Sequence, residues 1–271
     1  MRPETMNALQ LYSRYIAISV RGQMQYRASF LLQAFGHLAA TAIEFFAIWS
    51  LFHRFGNLRG WSLPEVALLY GMVNLSFSLA DATSRGFDAF GRMVKGGDFD
   101  RLLLRPRSTV LQLMGQELTL RRIGRFTQGV IVLVWALRHL PVEWTPLHAA
   151  LLAAAILGGA CFFFGLIVLQ ATAAFWTVES LEVFNAFTYG GVTAAQYPVT
   201  IYRGWFRRLF TTVIPLAAVN YFPALAILGR PDPLGTPLLL QYLSPLLGLA
   251  FLLLALQVWK IGVRHYCSTG S

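Results

Sequence analysis

The sequence predicts an all-α integral membrane protein with about six transmembrane helices. Hydrophobic residues make up 56% of the 271 residues and charged residues only 13%. This leaves too few polar side chains to cover a soluble globule, and the apolar residues come in runs long enough to cross hydrocarbon as helices. The net charge of +10 fits Arg and Lys residues that flank membrane spans, so we expect no nucleic-acid partner.

The chain begins with an amphipathic stretch, residues 6–27, that predicts a helix lying along the inner membrane surface. Leu9 and Ile16 fall on one helical face, whereas Arg14 and Arg21 lie well round from it. A helix of this kind places its apolar face among the lipid headgroups and acyl chains. Membrane lipid is therefore the first expected partner.

Six apolar segments then predict the spans of a single transmembrane domain, residues 1–271. They are residues 28–52, 63–80, 126–140, 147–176, 180–196 and 238–263. Ser62 and Glu65 form a capping box with Pro64 in the first turn, which predicts a sharp start for the second span. In the fourth span, small residues such as Gly158 allow another helix to approach closely, either within the subunit or between subunits.

The first span carries a polar stripe of His37, Thr41 and Glu44, spaced i, i+4, i+7 on one helical face. An ionisable group at membrane depth is costly, so it normally faces protein or water. One interpretation is that the stripe lines a translocation path. The other is that Glu44 packs against a polar group of another helix or lies near the outer headgroups.

Residues 85–107, RGFDAFGRMVKGGDFDRLLLRPR, form a charged segment between the second and third spans. Phe87 and Phe90 belong to the apolar side of a short helix that ends at Gly96 and Gly97. A short helix with exposed aromatic residues and mixed charges suits docking into a cleft on a soluble partner. A loop lying on the membrane surface and stabilised by headgroups is the alternative.

The run GGDFDRLLLRP in this segment resembles the cytoplasmic motif of permease subunits in the ABC-2 type of ATP-driven exporters. It is most similar to a branch of short, paired permeases that includes viologen-exporter-like systems. The resemblance implies a coupling helix over residues 87–95 and, at residues 211–228, re-entrant half-helices on the outer side before the last span. The residues it implies in ATPase coupling are Phe87, Asp88, Phe90, Arg92, Asp98, Phe99, Asp100, Arg101 and Arg105.

The resemblance also implies partners and a direction of transport. We expect two copies of a separate ATP-binding cassette ATPase, a second permease subunit that is related or identical, and export of an amphiphilic, drug-like or lipid-like substrate. The sequence contains no phosphate-binding G-x-x-x-x-G-K-[ST] motif, so ATP and Mg are expected on the ATPase, with no cofactor, metal or catalytic residue in this chain.

The expected location is the bacterial cytoplasmic membrane, with both termini inside. In this topology the inner segments hold 15 of the 22 Arg and Lys residues, which agrees with the positive-inside rule.

Two other classes of function stay open on the sequence alone. A secondary transporter or channel would use Glu44 and His37 as ion-coupling groups. A membrane-embedded enzyme acting on lipid would need clustered polar residues at one depth, for which Glu182 is a further candidate.

Overall fold

The computed structural model describes residues 8–116, 123–177 and 181–267, which are helical over most of their length. The helices up to the charged segment and just beyond it are α1 Ala8–Met24, α2 Arg27–Phe55, α3 Leu63–Ala82, α4 Arg85–Asp88, α5 Phe90–Lys95, α6 Phe99–Leu103 and α7 Thr109–Met114. The later ones are α8 Ile123–His139, α9 Pro146–Ala173, α10 Leu181–Ala195, α11 Gly204–Arg208, α12 Leu216–Val219, α13 Tyr221–Leu228, α14 Leu238–Leu243 and α15 Leu246–His265.

Four described helices, α2, α3, α9 and α15, are long and apolar enough to cross a membrane. The pair Gly204–Thr212 and Leu216–Leu228 is bent by 67° and makes a fifth crossing if it forms one span. Helices α8 and α10 have 17 and 15 residues, fewer than the roughly 20 that span hydrocarbon without help. The described chain therefore holds four to five candidate spans, and the count of six stays a prediction.

The positions of the predicted segments correspond to helices with shifted ends. Helix α9 stops at Ala173, three residues before the predicted end of the fourth span. The last predicted span, 238–263, is divided between α14 and α15 at Ser244 and Pro245. Residues 6 and 180, where two predicted segments begin, lie outside the described residues. The bend at Pro215 divides residues 211–228, and their re-entrant path stays a prediction.

Helix α3 lies at the centre of the bundle, with 83% of its most apolar window buried. The predicted capping box at its start is confirmed, because Glu65 Oε2 accepts hydrogen bonds from Ser62 N at 2.7 Å and Ser62 Oγ at 2.9 Å. The other carboxylate oxygen pairs with Arg230 Nε at 2.8 Å. Since the Arg230 guanidinium also lies 4.8 Å from the centre of the Trp61 ring, one acidic side chain both caps α3 and ties it to the end of α13.

The small residues of α9 serve packing within the chain. A Cβ atom at Gly158 would collide with the backbone of Pro245, and one at Gly248 would collide with the backbone of Gly158. Gly165 faces Phe251 and Leu252 in the same way. Helices α9 and α15 therefore approach at backbone distance, which favours van der Waals packing between them in the absence of a hydrophobic driving force.

The charged segment is held against α9 and α15 by an aromatic hub, defined as Phe87, Phe90, Phe99, Phe175 and Trp259. The centre of the Phe90 ring lies 4.8 Å from the ring centre of Trp259, 5.0 Å from that of Phe99 and 5.1 Å from that of Phe175. Each such tilted or edge-to-face pair contributes about 0.5–1.5 kcal/mol of stability beyond that gained from burying the rings.

Replacing the central ring of this hub should unfold the chain more easily than removing an exposed side chain nearby. We expect Phe90→Ala to lower the free energy of unfolding by about 3–5 kcal/mol, since Phe90 is 0% exposed. Phe90→Leu should cost less, and Leu104→Ala should change it by under about 0.5 kcal/mol, because Leu104 is 85% exposed. Denaturation in detergent measures this order, and equal effects of F90A and L104A would contradict it.

Candidate functional site

The aromatic residues of the charged segment face inward, so the expectation that they are exposed for docking is wrong. Phe87 is 1% exposed, and Phe90 and Phe99 are 0% exposed. Helices α4, α5 and α6 have 4, 6 and 5 residues, too few to persist alone in water. Their rings therefore serve to anchor them on α9 and α15, and a partner could contact these rings only after the segment had moved.

The side chains that point away from the hub form the outer face of the charged segment. This face consists of Arg92, Lys95, Asp98, Arg101, Leu104 and Arg105, all exposed. The guanidinium of Arg101 lies 3.6 Å from the Asp98 carboxylate, and an exposed pair of this type contributes little to stability. Of the predicted coupling residues, Arg92, Asp98, Arg101 and Arg105 are thus accessible to a partner.

The two remaining predicted coupling residues, Asp88 and Asp100, are partly buried. Burial raises the pKa of the Asp88 carboxyl, and the guanidinium of Arg85 partly opposes this rise. The ionised carboxylate therefore costs free energy in the folded chain. Asp100 has contacts of its own and lies beside the hub residue Phe99 in α6.

The three residues of the predicted polar stripe in the first span do not share one environment. Thr41 is 3% exposed, and its hydroxyl donates to the carbonyl of His37 at 2.9 Å. His37 and Glu44 are exposed to the surroundings of the chain. The stripe is thus not one continuous lining, and Glu44 does not share the cavity described below with His37.

A buried polar seam joins α2, α3 and α8 at the level of Thr41. The carbonyl oxygen of Thr41 accepts from Tyr70 Oη at 3.2 Å and from Gln128 Nε2 at 3.3 Å. Gln128 also contacts the Tyr70 hydroxyl at 3.1 Å. Because hydrogen bonds between spans are worth about 0.6–1.7 kcal/mol each, the seam fixes the relative positions of the three helices.

Next to this seam, towards the charged segment, lies a polar cavity of about 150 Å³, lined by His37, Asp81, Arg125 and Tyr189. The Arg125 guanidinium lies 5.3 Å from the centre of the Phe77 ring. His37 and Asp81 have further contacts and are not free of partners. The cavity brings donor groups from α2, α8 and α10 to one place with the Asp81 carboxylate of α3. It can therefore hold a polar group that both accepts and donates hydrogen bonds.

Sequence reasoning found only His37 among the four residues of this cavity. Asp81 and Arg125 lie near the ends of apolar segments, where charged residues are common and give no signal of a cavity. A spacing that could have pointed to the cavity is present on α3, where Tyr70, Asn74 and Ser78 precede Asp81 along one face. Arg121 and Arg122, which come shortly before Arg125 in the sequence, lie outside the described residues.

No group of three or more His, Cys, Asp or Glu side chains converges as a metal site in residues 8–116, 123–177 and 181–267. Glu182, the further candidate for a lipid-modifying enzyme, lies on α10, and its side chain is outside the described part of the chain.

The described residues hold four to five apolar helices long enough to span a membrane, and the most deeply buried of them is α3. This fold defines a multi-pass membrane protein. A family model described as ABC-2 family transporter protein matches residues 38–270, and the chain belongs to this family. It is therefore the permease, or membrane transport component, of an ABC-2 transporter. No curated protein and no solved structure matches the chain.

The family match confirms the resemblance that the motif GGDFDRLLLRP suggested, at the level of the ABC-2 permeases. Permeases of this family generally work with a separate ATPase component. The narrower branch of paired, viologen-exporter-like permeases stays a prediction.

The shape of the polar cavity should depend on close contact between α8 and α2. A Cβ atom at Gly124 would meet the carbonyl oxygen of Ala34 and lie 2.8 Å from the nitrogen of Leu38. We expect Gly124→Ala to lower the free energy of unfolding by about 1–3 kcal/mol, because one helix must move.

Gly36→Ala is the matched control for this change, since nothing lies within 4 Å of the added Cβ atom. Alanine is favoured over glycine within a helix by about 1 kcal/mol, so this variant should be as stable as the native chain or more so. Thermal unfolding of both variants in detergent measures the difference, and a G124A protein as stable as G36A would show that α2 and α8 do not pack this closely.

Asp88→Asn should stabilise the isolated chain at pH 7. Since the pKa of Asp88 is raised on folding, the folded state loses free energy when this carboxyl ionises. That loss is present above the raised pKa and disappears as the pH falls through it. The advantage of D88N should therefore vanish below the ordinary Asp pKa of about 4.

Thermal unfolding across this pH range measures the advantage of D88N, and Asp98→Asn provides the control because Asp98 is exposed. A D88N variant that follows D98N at every pH would rule out a burial cost at Asp88.

Proposed function

We propose that this chain is the permease subunit of an ATP-driven exporter whose ATPase is a separate chain that binds the outer face of the charged segment. The observation that supports the proposal is the two-sided arrangement of side chains in this segment. Charged side chains and the exposed Leu104 lie on one side, and the aromatic hub on the other side fixes the segment to α9 and α15. A contact on the outer face is thereby connected to two spans.

The outer face has the composition of a docking surface for a soluble protein. This face combines four exposed cationic side chains with Leu104, which is 85% exposed, and the neighbouring Leu103 is 40% exposed. Charged rims direct encounter and select the partner, whereas a central apolar side chain supplies binding free energy once it is buried. An acidic groove with an apolar pocket on the ATPase would complement this face.

In the proposed mechanism, two ATPase subunits close around bound ATP. This closure displaces two charged segments, one in each permease subunit. Because the aromatic hub is buried and close-packed, the displacement moves α9 and α15 with the segment. Close packing favours discrete arrangements over continuous deformation, so the two permease halves alternate between states with different access. ATP and Mg belong to the ATPase in this scheme.

The proposed substrate is amphiphilic, and the polar cavity supports a place for its headgroup. His37, Arg125 and Tyr189 supply donors there and Asp81 supplies an acceptor, which suits a headgroup that carries both kinds of polar group. The ring of Phe77 lies against the guanidinium of Arg125. The apolar part of the substrate would stay among the spans or in lipid. Export through a homodimer or heterodimer of permeases in the bacterial cytoplasmic membrane, with both termini inside, completes the proposal.

Ion-coupled transport through His37 and Glu44 receives less support. An ion-coupling pair needs both groups at one site, and His37 lines the polar cavity while Glu44 does not.

Leu104→Ala tests the docking surface without disturbing the fold, because the side chain is largely exposed. We expect L104A to weaken binding of the ATPase about tenfold, which corresponds to a side chain worth over 1 kcal/mol in an interface. Binding of the purified ATPase to the permease in nanodiscs measures this, together with stimulation of ATP hydrolysis.

Trp205→Ala is the control, since Trp205 is 69% exposed and lies outside the charged segment. The W205A variant should bind the ATPase like the native chain. If L104A and the native permease bind the ATPase with equal affinity, the outer face is not the interface with the ATPase and has no coupling role.

A further inference from the structure

A groove of about 500 Å³ lies between the start of α7 and one face of α15. Ser108 and Thr109 form one wall, and residues of α15 from Leu253 to Arg264 form the other. The groove shares no residue with the outer face of the charged segment or with the polar cavity.

The lining of the groove changes from apolar to cationic along α15. Leu253 and Leu256 come first, and Lys260 and Arg264 follow at helical spacing on the same face. With a rise of 1.5 Å per residue, the apolar and cationic ends lie about 16 Å apart. Lys260 and Arg264 are both exposed, and neither forms an ion pair within the described ranges.

The floor of the groove is a buried, hydrogen-bonded indole. Trp259 is 2% exposed, and its Nε1 donates to Thr109 Oγ1 at 3.0 Å. This hydrogen bond clamps α7 to α15 across the groove. The same indole belongs to the aromatic hub, with its ring centre 4.8 Å from that of Phe90. The groove therefore borders the hub that attaches the charged segment to α9 and α15.

We propose that this groove binds an anionic phospholipid of the membrane leaflet next to the charged segment. The phosphodiester lies between Lys260 and Arg264, and an acyl chain lies along Leu253 and Leu256. The order of charge and apolar surface matches a phospholipid, whose anionic headgroup is at the interface and whose chains point into hydrocarbon. Cations that only set the topology of α15 would not need a groove between two helices beside them.

A bound phospholipid would contact both sides of the clamp, Thr109 on α7 and Trp259 on α15. It would therefore stabilise the attachment of the charged segment to the spans. This binding site does not depend on ATP coupling and exists in the isolated permease.

The test uses native mass spectrometry of the full chain with dioleoylphosphatidylglycerol, and with dioleoylphosphatidylcholine as the neutral lipid of equal chain length. We expect the anionic lipid to bind more tightly. The double variant Lys260→Gln/Arg264→Gln should lower its affinity about 30-fold, roughly fivefold for each cation near the membrane surface. Leu253→Trp, which narrows the apolar end at a side chain that is 54% exposed, should weaken binding of both lipids.

Arg92→Gln/Lys95→Gln is the matched control, because it removes the same charge from exposed positions outside the groove. It should lower the affinity for phosphatidylglycerol by less than twofold. Circular dichroism and thermal unfolding in neutral detergent verify that every variant is folded.

Three results would overturn the proposal. One is equal affinity for the two lipids, and another is an equal loss of affinity in the two double variants. The third is a K260Q/R264Q chain that binds phosphatidylglycerol normally but no longer assembles with the ATPase or with a second permease, since the groove would then be a protein interface.

Discussion

The attachment of the charged segment to the spans depends on the burial of aromatic rings. Helices α4 to α6 are each too short to be stable alone, and the aromatic hub gives them a fixed position on α9 and α15. Phe90 contacts Phe99, Phe175 and Trp259 at ring distances of 4.8–5.1 Å. Because the glycine contacts of Gly158 and Gly248 already join α9 to α15, the segment and these two helices form one closely packed body.

The packing around α2 is of a different kind. Only 11% of its most apolar window is buried in the chain, and its contacts with α3 and α8 include the hydrogen-bonded seam at Thr41. Hydrogen bonds between spans contribute modestly, because polar groups in the membrane also find other partners when the helices separate. Helix α2 is thus held on one side by a few directional contacts, and its other side is left for lipid or for another subunit.

Local signals in the sequence predicted the local structure well. The capping box at Ser62 and Glu65 was predictable because it consists of hydrogen bonds between residues only three positions apart. The polar cavity could not be predicted in this way, because His37 and Arg125 are far apart in the chain and meet only through the packing of α2 against α8. The division of the last predicted span at Pro245 has a local cause that the prediction of one continuous span overlooked, because proline has no amide hydrogen with which to continue a helix.

The direction of the aromatic side chains in the charged segment illustrates what an amphipathic pattern can and cannot decide. The pattern shows that Phe87, Phe90 and Phe99 share an apolar surface, but it does not show which surface covers them. Three exposed phenylalanines would form a patch prone to association before any partner arrived. Burying them within the chain removes this patch and leaves cations and Leu104 outside. In the proposed complex, the ATPase would recognise the segment by these cations together with Leu104. Charge complementarity favours rapid and selective encounter, while the rings keep the contact surface attached to the spans.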